Sequence, residues 1–237
     1  MCHNFEASAS ASSRELGITK NQAARAATEN LNAHIATFVY IRKIMTKRII
    51  MISGPNGAGK TTTAMSFISN EMIEEFINAD EIARGLAPIH PESMSLTASK
   101  LMLKRLKELL EANKSFAFET TGSGTNYIKH LKEAQTNGYE VHLMFLWLPS
   151  PDLAIKRVAQ RVEQGGHHIP ADTIRRRYYA GLKNLIIHYL PLANRALILD
   201  NSIAGSNNII VRKHVDSGLK IEEPHIWKAI QEVAYAK

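Results

Sequence analysis

Cysteine is nearly missing from this 237-residue chain: Cys2 is the only one, so a single copy can form neither an intrachain disulfide nor a thiolate metal cluster. A reducing compartment is expected. Long apolar runs are missing too. The longest, residues 141–148, has the length of a buried strand and falls far short of the roughly 20 residues that a membrane-spanning helix needs. The opening stretch, MCHNFEASASASSRELG, lacks a basic region followed by an apolar one, so no secretory leader and no membrane partner are expected. The protein is read as cytoplasmic. Glycine, proline and aromatic residues show none of the biases of collagen-like, low-complexity or disordered chains.

What is present fits one globular α/β domain, with 45% hydrophobic and 22% charged residues. Twenty-nine Lys and Arg against twenty-two Asp and Glu leave a charge of +7, which favours anionic partners such as phosphate esters, nucleic acid or acidic surfaces. Residues 1–44 are polar and rich in Ala and Ser, with a helix-compatible stretch over 19–42. They are read as an N-terminal helical extension, or as residues upstream of a start at Met45, with residues 45–237 as the main domain.

From Lys47 the texture changes to short apolar runs separated by longer amphipathic stretches, the pattern of βα units around a parallel sheet. The runs are RIIMIS (48–53), EFINA (75–79), SFAFE (115–119), VHLMFLWL (141–148) and ALILD (196–200). Helices are expected near 60–71, 92–112, 125–137, 151–164 and 171–189, several opened by Asp, Ser or Pro. Crossovers of this length require parallel strands. A short strand candidate, NNIIVRK, and an amphipathic helix over 222–236 follow.

Between the first run and the first helix stands Gly54-Pro55-Asn56-Gly57-Ala58-Gly59-Lys60-Thr61, followed by Thr62, which satisfies G-x-x-x-x-G-K-[ST]. The glycines let backbone N–H groups turn inward on phosphate oxygens, and the helix N-terminus adds its partial positive charge. Lys60 supplies a point charge, and Thr61 a hydroxyl that can ligate a magnesium ion on the terminal phosphates. ATP and Mg2+ are the expected cofactors. The fold expected is a three-layer P-loop NTPase fold of the kinase type: a central five-stranded parallel sheet, helices on both faces and an arginine-bearing lid.

Motor-type ATPases end an apolar strand in Asp-Glu, whereas ALILD is followed by Asn201, so hydrolysis as the main purpose is disfavoured. Acids do end the neighbouring strands: Asp80 in FINADEIAR and Glu119 in FAFETTGSG. Open α/β sheets bind ligands at that edge. Either acid could orient an acceptor hydroxyl and take its proton. For Asp80 the alternative is an N-cap of a helix starting at Glu81.

The stretch 152–182 reads as helix, glycine break and proline-initiated helix, with arginines on both arms, which is lid architecture. Arg157 and Arg161 share a helix face. Arg175, Arg176 and Arg177 fan around the next helix, whose apolar stripe is Ile174, Tyr178, Leu182, Leu185 and Tyr189; one or two of the three can point at any single site. Guanidinium groups suit a transferring phosphoryl group because their planar donors match its oxygens. His167 and His168 stand in the break without another ligand at metal spacing and are read as loop histidines.

With these elements together, the sequence resembles the zeta toxin family of P-loop kinases, in its GGHxIP-bearing bacterial branch. The motifs are GPNGAGKTT, NADEIAR, FAFETT, FLWLPSP, RVEQGGHHIP, RRRYYAGLKNL and DNS, spread over residues 45–202. The resemblance implies ATP-dependent phosphorylation of the 3′-hydroxyl of the amino sugar in UDP-N-acetylglucosamine, and a small helical antitoxin that covers the nucleotide site. It implies Asp80 as the activator of the acceptor hydroxyl, and Glu119 with Thr121 as the sugar-nucleotide contact. Lys60, Arg161 and either Arg176 or Arg177 are implied as the phosphate-stabilising cations. Gly122, Lys100 and Ala79 depart from the family pattern on the substrate side. The alternative expectation is an ATP-gated protein that binds nucleic acid or a protein partner without phosphorylating a small molecule.

Overall fold

The apolar runs form the strands expected of them. The computed structural model describes residues 46–236 apart from 69–72, 167, 204 and 206, so the N-terminal extension and His167 lie outside the described residues. Strands β1 (Arg48–Ser53), β2 (Glu75–Asn78), β3 (Phe116–Thr120), β4 (Glu140–Trp147) and β5 (Arg195–Asp200) run parallel in the order β2-β3-β1-β4-β5. All six residues of β1 are buried, as befits a central strand covered on both faces.

The sheet goes further than the expected five strands. β6 (Asn208–His214), the NNIIVRK candidate, pairs antiparallel with β5, and β7 (Gly218–Ile221) pairs antiparallel with β6. All four residues of β7 are exposed, so no apolar signature marks it in the sequence.

Helices α1 (Lys60–Ile68), α2 (Ala79–Leu86), α3 (Ser95–Glu111), α4 (Tyr127–Thr136), α5 (Pro151–Glu163), α6 (Ala171–Asn184) and α7 (Pro224–Tyr235) supply the outer layers. α5 starts where Ser150 accepts the Leu153 N–H at 3.2 Å with Pro151 in the first turn, the pairing of cap and proline that favours a helix start. The stripe Ile174, Tyr178, Leu182, Leu185 and Tyr189 is buried. It continues through a π-helical turn, Leu185–Tyr189, closed by the Leu190 N–H on the Leu185 carbonyl just before Pro191, which has no N–H to give.

The core lies on both faces of β1, β3 and β4. Phe116, Phe118 and Phe145 are fully buried, and the Phe118 and Tyr127 rings lie 5.0 Å apart. Truncating such a phenylalanine costs about 3–5 kcal/mol. Among the described residues no helix is long and apolar enough to cross a membrane.

This order places a switch point at β1. The chain leaves β1 for β2, returns through β3 on one side of β1, then continues to β4 and β5 on the other. The carboxyl ends of all five parallel strands share one edge, and the crevice forms there.

Candidate active site

The turn from β1 into α1 is tight. Gly54 has φ +142, and a Cβ there would lie 2.3 Å from the Leu146 carbonyl oxygen of β4, so glycine alone fits. Inside the turn the Ala58 N–H reaches the Pro55 carbonyl at 3.2 Å. Lys60 Nζ donates to that same carbonyl at 3.0 Å and stands 3.7 Å from Glu119 Oε1. Burial is the largest influence on the Lys60 ammonium and lowers its pKa; Glu119 and Asp80 oppose the shift, and Arg161 adds to it. Lys60 thus feels three charges that the sequence places up to 101 positions away, from 60 to 161.

Glu119 is gripped from two sides. Thr61 Oγ1 donates to its Oε2 at 2.7 Å, and Asn78 Nδ2 donates to the same oxygen at 3.1 Å. Register explains the grip: Glu119 pairs with Asn78 of β2 and with Ile52 of β1, one residue before the strand ends. The structure thus sets Glu119 against the Thr61 hydroxyl and the Lys60 ammonium. Thr121, two residues on, shares a hydrogen bond with Ser123 at 2.9 Å.

Asp80 lies in the first turn of α2, but it is not the cap. Asn78 Oδ1 accepts the Asp80 N–H at 2.8 Å, because the helix begins at Ala79 rather than Glu81. The Asp80 side chain is thereby released for other work. It is exposed, and its charge acts on Lys60 and on Arg177.

The three consecutive arginines of α6 separate. Arg177 is half-buried; burial lowers its pKa, Asp80 opposes that, and Arg176 adds to it. Arg176 is exposed, and Arg175 pairs with Asp152 at 2.8 Å on the surface. Arg161 is half-buried in the last turn of α5, where its carbonyl accepts the Gly166 N–H at 2.8 Å. Both arms of the expected lid are pinned. Arg157 holds α5 by donating to the carbonyls of Asn201 at 2.9 Å and Ser202 at 2.8 Å. Tyr178 holds α6 to the Leu148 carbonyl at 2.8 Å, and Asn184 Nδ2 holds it to the Gly122 carbonyl at 3.0 Å. Arg177 and Arg161 thus stand on anchored helices.

The contacts of three residues, Asn201, Arg157 and Gly122, escape sequence reasoning. Asn201 Nδ2 donates to the Ala58 carbonyl at 2.6 Å while its Oδ1 accepts the Gly205 N–H at 3.0 Å, tying the cradle to the loop after β5. Arg157 reaches the Gly57 carbonyl at 3.5 Å as well. Gly122 has φ +69, and a Cβ would meet Ser53 Oγ at 2.4 Å, so the departure from the family pattern at this position lets the loop after β3 lie against the end of β1.

The residues present fit a nucleotide triphosphate with a divalent cation. The Gly54 turn has no room for a side chain, Asn56 Oδ1 is buried in the cradle without a hydrogen-bond partner, and Thr61 with Glu119 offers hard oxygen donors. Thr62, one residue on, is exposed at the start of α1. Among the described residues no group of three or more His, Cys, Asp and Glu side chains stands together as a metal cage.

Comparisons with known proteins bear on the fold. An uncharacterised protein of Haemophilus influenzae is 28% identical over 135 residues, covering 57% of this chain and 95% of that protein. The structure of AvrRxo1-ORF1 with AvrRxo1-ORF2 and ATP superposes with a TM-score of 0.61 at 15% identity, over 81% of this chain and 65% of that one. This chain thus spans less than two thirds of it. The PezAT chromosomal toxin–antitoxin system of Streptococcus pneumoniae gives a TM-score of 0.56 at 16% identity, over 81% of this chain and 80% of that one. The shared feature is the fold: a central parallel sheet with helices on both faces, of the P-loop kinase type. The sequence model of the AAA domain family matches residues 49–180, which contain the cradle, both acids and all the arginines named above, and the chain belongs to that family.

Proposed function

We propose that this chain is a magnesium- and ATP-dependent kinase that transfers the γ-phosphoryl group to a hydroxyl of a small molecule, a sugar nucleotide such as UDP-N-acetylglucosamine being the first candidate. One observation carries the reading. Lys60, Glu119, Asp80, Arg161 and Arg177, drawn from five different elements, gather at the carboxyl edge of the sheet: Lys60 stands 3.7 Å from Glu119 and feels the charges of Asp80 and Arg161, and Asp80 also acts on Arg177. A fold needs no such gathering of charge, because bringing partly buried ionic groups together costs desolvation unless a ligand uses them.

In this reading Asp80 accepts the proton of the acceptor hydroxyl as its oxygen bonds to the γ-phosphorus. The bond from that phosphorus to the β–γ bridging oxygen breaks, and ADP leaves with the electron pair. Arg177 and Arg161 hold the equatorial oxygens of the phosphoryl group in flight, and Lys60 holds the oxygens bridging donor and transferred group. Thr61 and Glu119 are the residues that would hold magnesium, which supplies charge neutralisation on the terminal phosphates. The burial of Lys60 keeps water from the bond that breaks. Loop 121–124 is held by Asn184, at the end of the helix that carries Arg177, and by Tyr189 of the π-helical turn that follows. A restraining partner over the nucleotide crevice belongs to the same proposal, supported by the likeness to PezAT.

The test is incubation with ATP and UDP-N-acetylglucosamine. The expected result is ADP and a sugar nucleotide heavier by one phosphate. Turnover on another hydroxyl acceptor would replace the substrate and keep the class; nucleotide-dependent binding of nucleic acid with no acceptor-dependent ADP release would overturn the reading.

A further inference from the structure

Asn78 closes β2 and is 8% exposed. Its two amide atoms do separate jobs. Oδ1 accepts the Asp80 N–H at 2.8 Å and so caps the helix that carries the acceptor-side acid. Nδ2 donates at 3.1 Å to Glu119 Oε2, the oxygen that also accepts from Thr61. A carboxamide offers a donor and an acceptor on one short stem; aspartate offers acceptors alone, and serine is too short to span both partners.

From this bridge we infer that Asn78 is a positioning residue, which fixes the Glu119 carboxylate on the phosphate side and Asp80 on the acceptor side in one register. The last torsion of a glutamate is broad and roughly two-fold, so a single hydrogen bond from Thr61 leaves the carboxylate free to rock. A second donor on the same oxygen stops that motion and keeps Oε1 toward Lys60, 3.7 Å away. The cap does the equivalent for Asp80, because a frayed first turn would move its carboxylate with the backbone. The kinetic part of this inference rests on the kinase reading; the nucleotide-binding part does not.

Three substitutions separate the jobs. Asn78→Ser keeps a capping oxygen but is too short for its hydroxyl to replace the amide donor to Glu119, Asn78→Ala removes both, and Asn78→Asp keeps the cap while facing Glu119 with an acceptor. The readouts are the gain in ATP affinity on adding magnesium, measured by calorimetry, and the split between kcat and KM in the transfer assay. For Asn78→Ser the expected result is a thermal midpoint close to wild type with the magnesium-dependent gain, and kcat, lowered about 10- to 100-fold, as for other residues that orient a metal's ligands. KM for the acceptor stays near wild type, and Asn78→Asp loses more than Asn78→Ser. Wild-type magnesium dependence and kcat in Asn78→Ser, with loss confined to Asn78→Ala, would overturn the inference and leave a helix cap alone. If the wild type binds ATP but phosphorylates no acceptor, the kinase reading falls and the magnesium readout decides: loss in Asn78→Ser upholds the bridge, retention refutes it. Should Asn78→Ser not fold, Asn78→Asp, which keeps the shape and the cap, decides by the same two readouts.

Discussion

The Thr61 hydroxyl donates to Glu119 at 2.7 Å, so the acid one residue from the end of β3 rests on the residue that follows the cradle lysine. In the proposed mechanism an acid in this position acts on phosphates and their cation rather than on the acceptor. Glu119→Gln keeps the shape and can still accept from Thr61, but it removes the charge beside Lys60. The expected outcome is a loss of transfer of about 100-fold or more together with a weaker magnesium dependence of ATP binding. Rate and calorimetry on the same preparation check it.

Asp80→Asn should separate binding from transfer. Asp80 is exposed at the head of α2 and the cap is made by Asn78, so the fold is expected to keep its thermal midpoint. Removal of a general base costs about 100- to 10,000-fold in rate. ATP affinity measured by titration should change little. Wild-type rates in the folded variant would end the assignment of Asp80 as base.

The arginines of α6 should rank sharply. Arg177→Met is expected to lower kcat about 1,000-fold or more, the loss typical of a guanidinium that neutralises a transferring phosphoryl group. Arg175→Met and Arg176→Met, which alter exposed side chains, should leave kcat nearly unchanged. Equal losses at all three would indicate a diffuse anion patch.

Arg157 is a brace. Arg157→Met keeps the aliphatic stem and removes charged hydrogen bonds to the carbonyls of Asn201 and Ser202. A cost of about 2–3 kcal/mol in unfolding free energy is expected, with a raised KM for ATP, because the cradle loses one of its two ties to the loop after β5. Denaturant melts and steady-state kinetics measure the two effects.

Lys60 sets a pH dependence whose sign is fixed. Burial holds its pKa below the ordinary 10.5, so the folded protein binds this proton more weakly than the unfolded chain. Protonation therefore penalises the free fold. Relative to Lys60→Met, wild-type stability should rise as pH climbs from the folded pKa of Lys60 toward 10.5. Triphosphate binding raises the lysine's pKa again, so on the alkaline side binding takes up a proton and affinity declines with pH. Calorimetry in two buffers of different ionisation enthalpy should show uptake in wild type and none in Lys60→Met.

Much of the fold was legible because its signals are local. RIIMIS is β1 to the residue, and the other four parallel strands lie within one residue of their runs at each end, since buried parallel strands must be continuously apolar. β7 was not legible, because four exposed residues carry no pattern. The cradle, both acids and the arginines were legible by type and spacing; their selection was not. Nothing local tells that α2 starts at Ala79, so Asn78 rather than Asp80 caps it. Nothing local separates Arg177 from Arg176, since the face of α6 that meets Asp80 is set by packing of Tyr178 and Leu182. The Asn201 latch on Ala58 spans 143 residues and exists through strand order alone. Nor does anything local show that hydrogen bonds from Arg157, Tyr178 and Asn184 tie the stretch 152–182 and the end of its second helix to the body.

The most direct measurement follows γ-labelled ATP incubated with a small-molecule extract and either wild-type protein or Asp80→Asn. Label should move onto a hydroxyl-bearing small molecule with wild type and stay on ATP with the variant. Label released as inorganic phosphate at the same rate with and without extract, and unaffected by Asp80→Asn, would contradict the account.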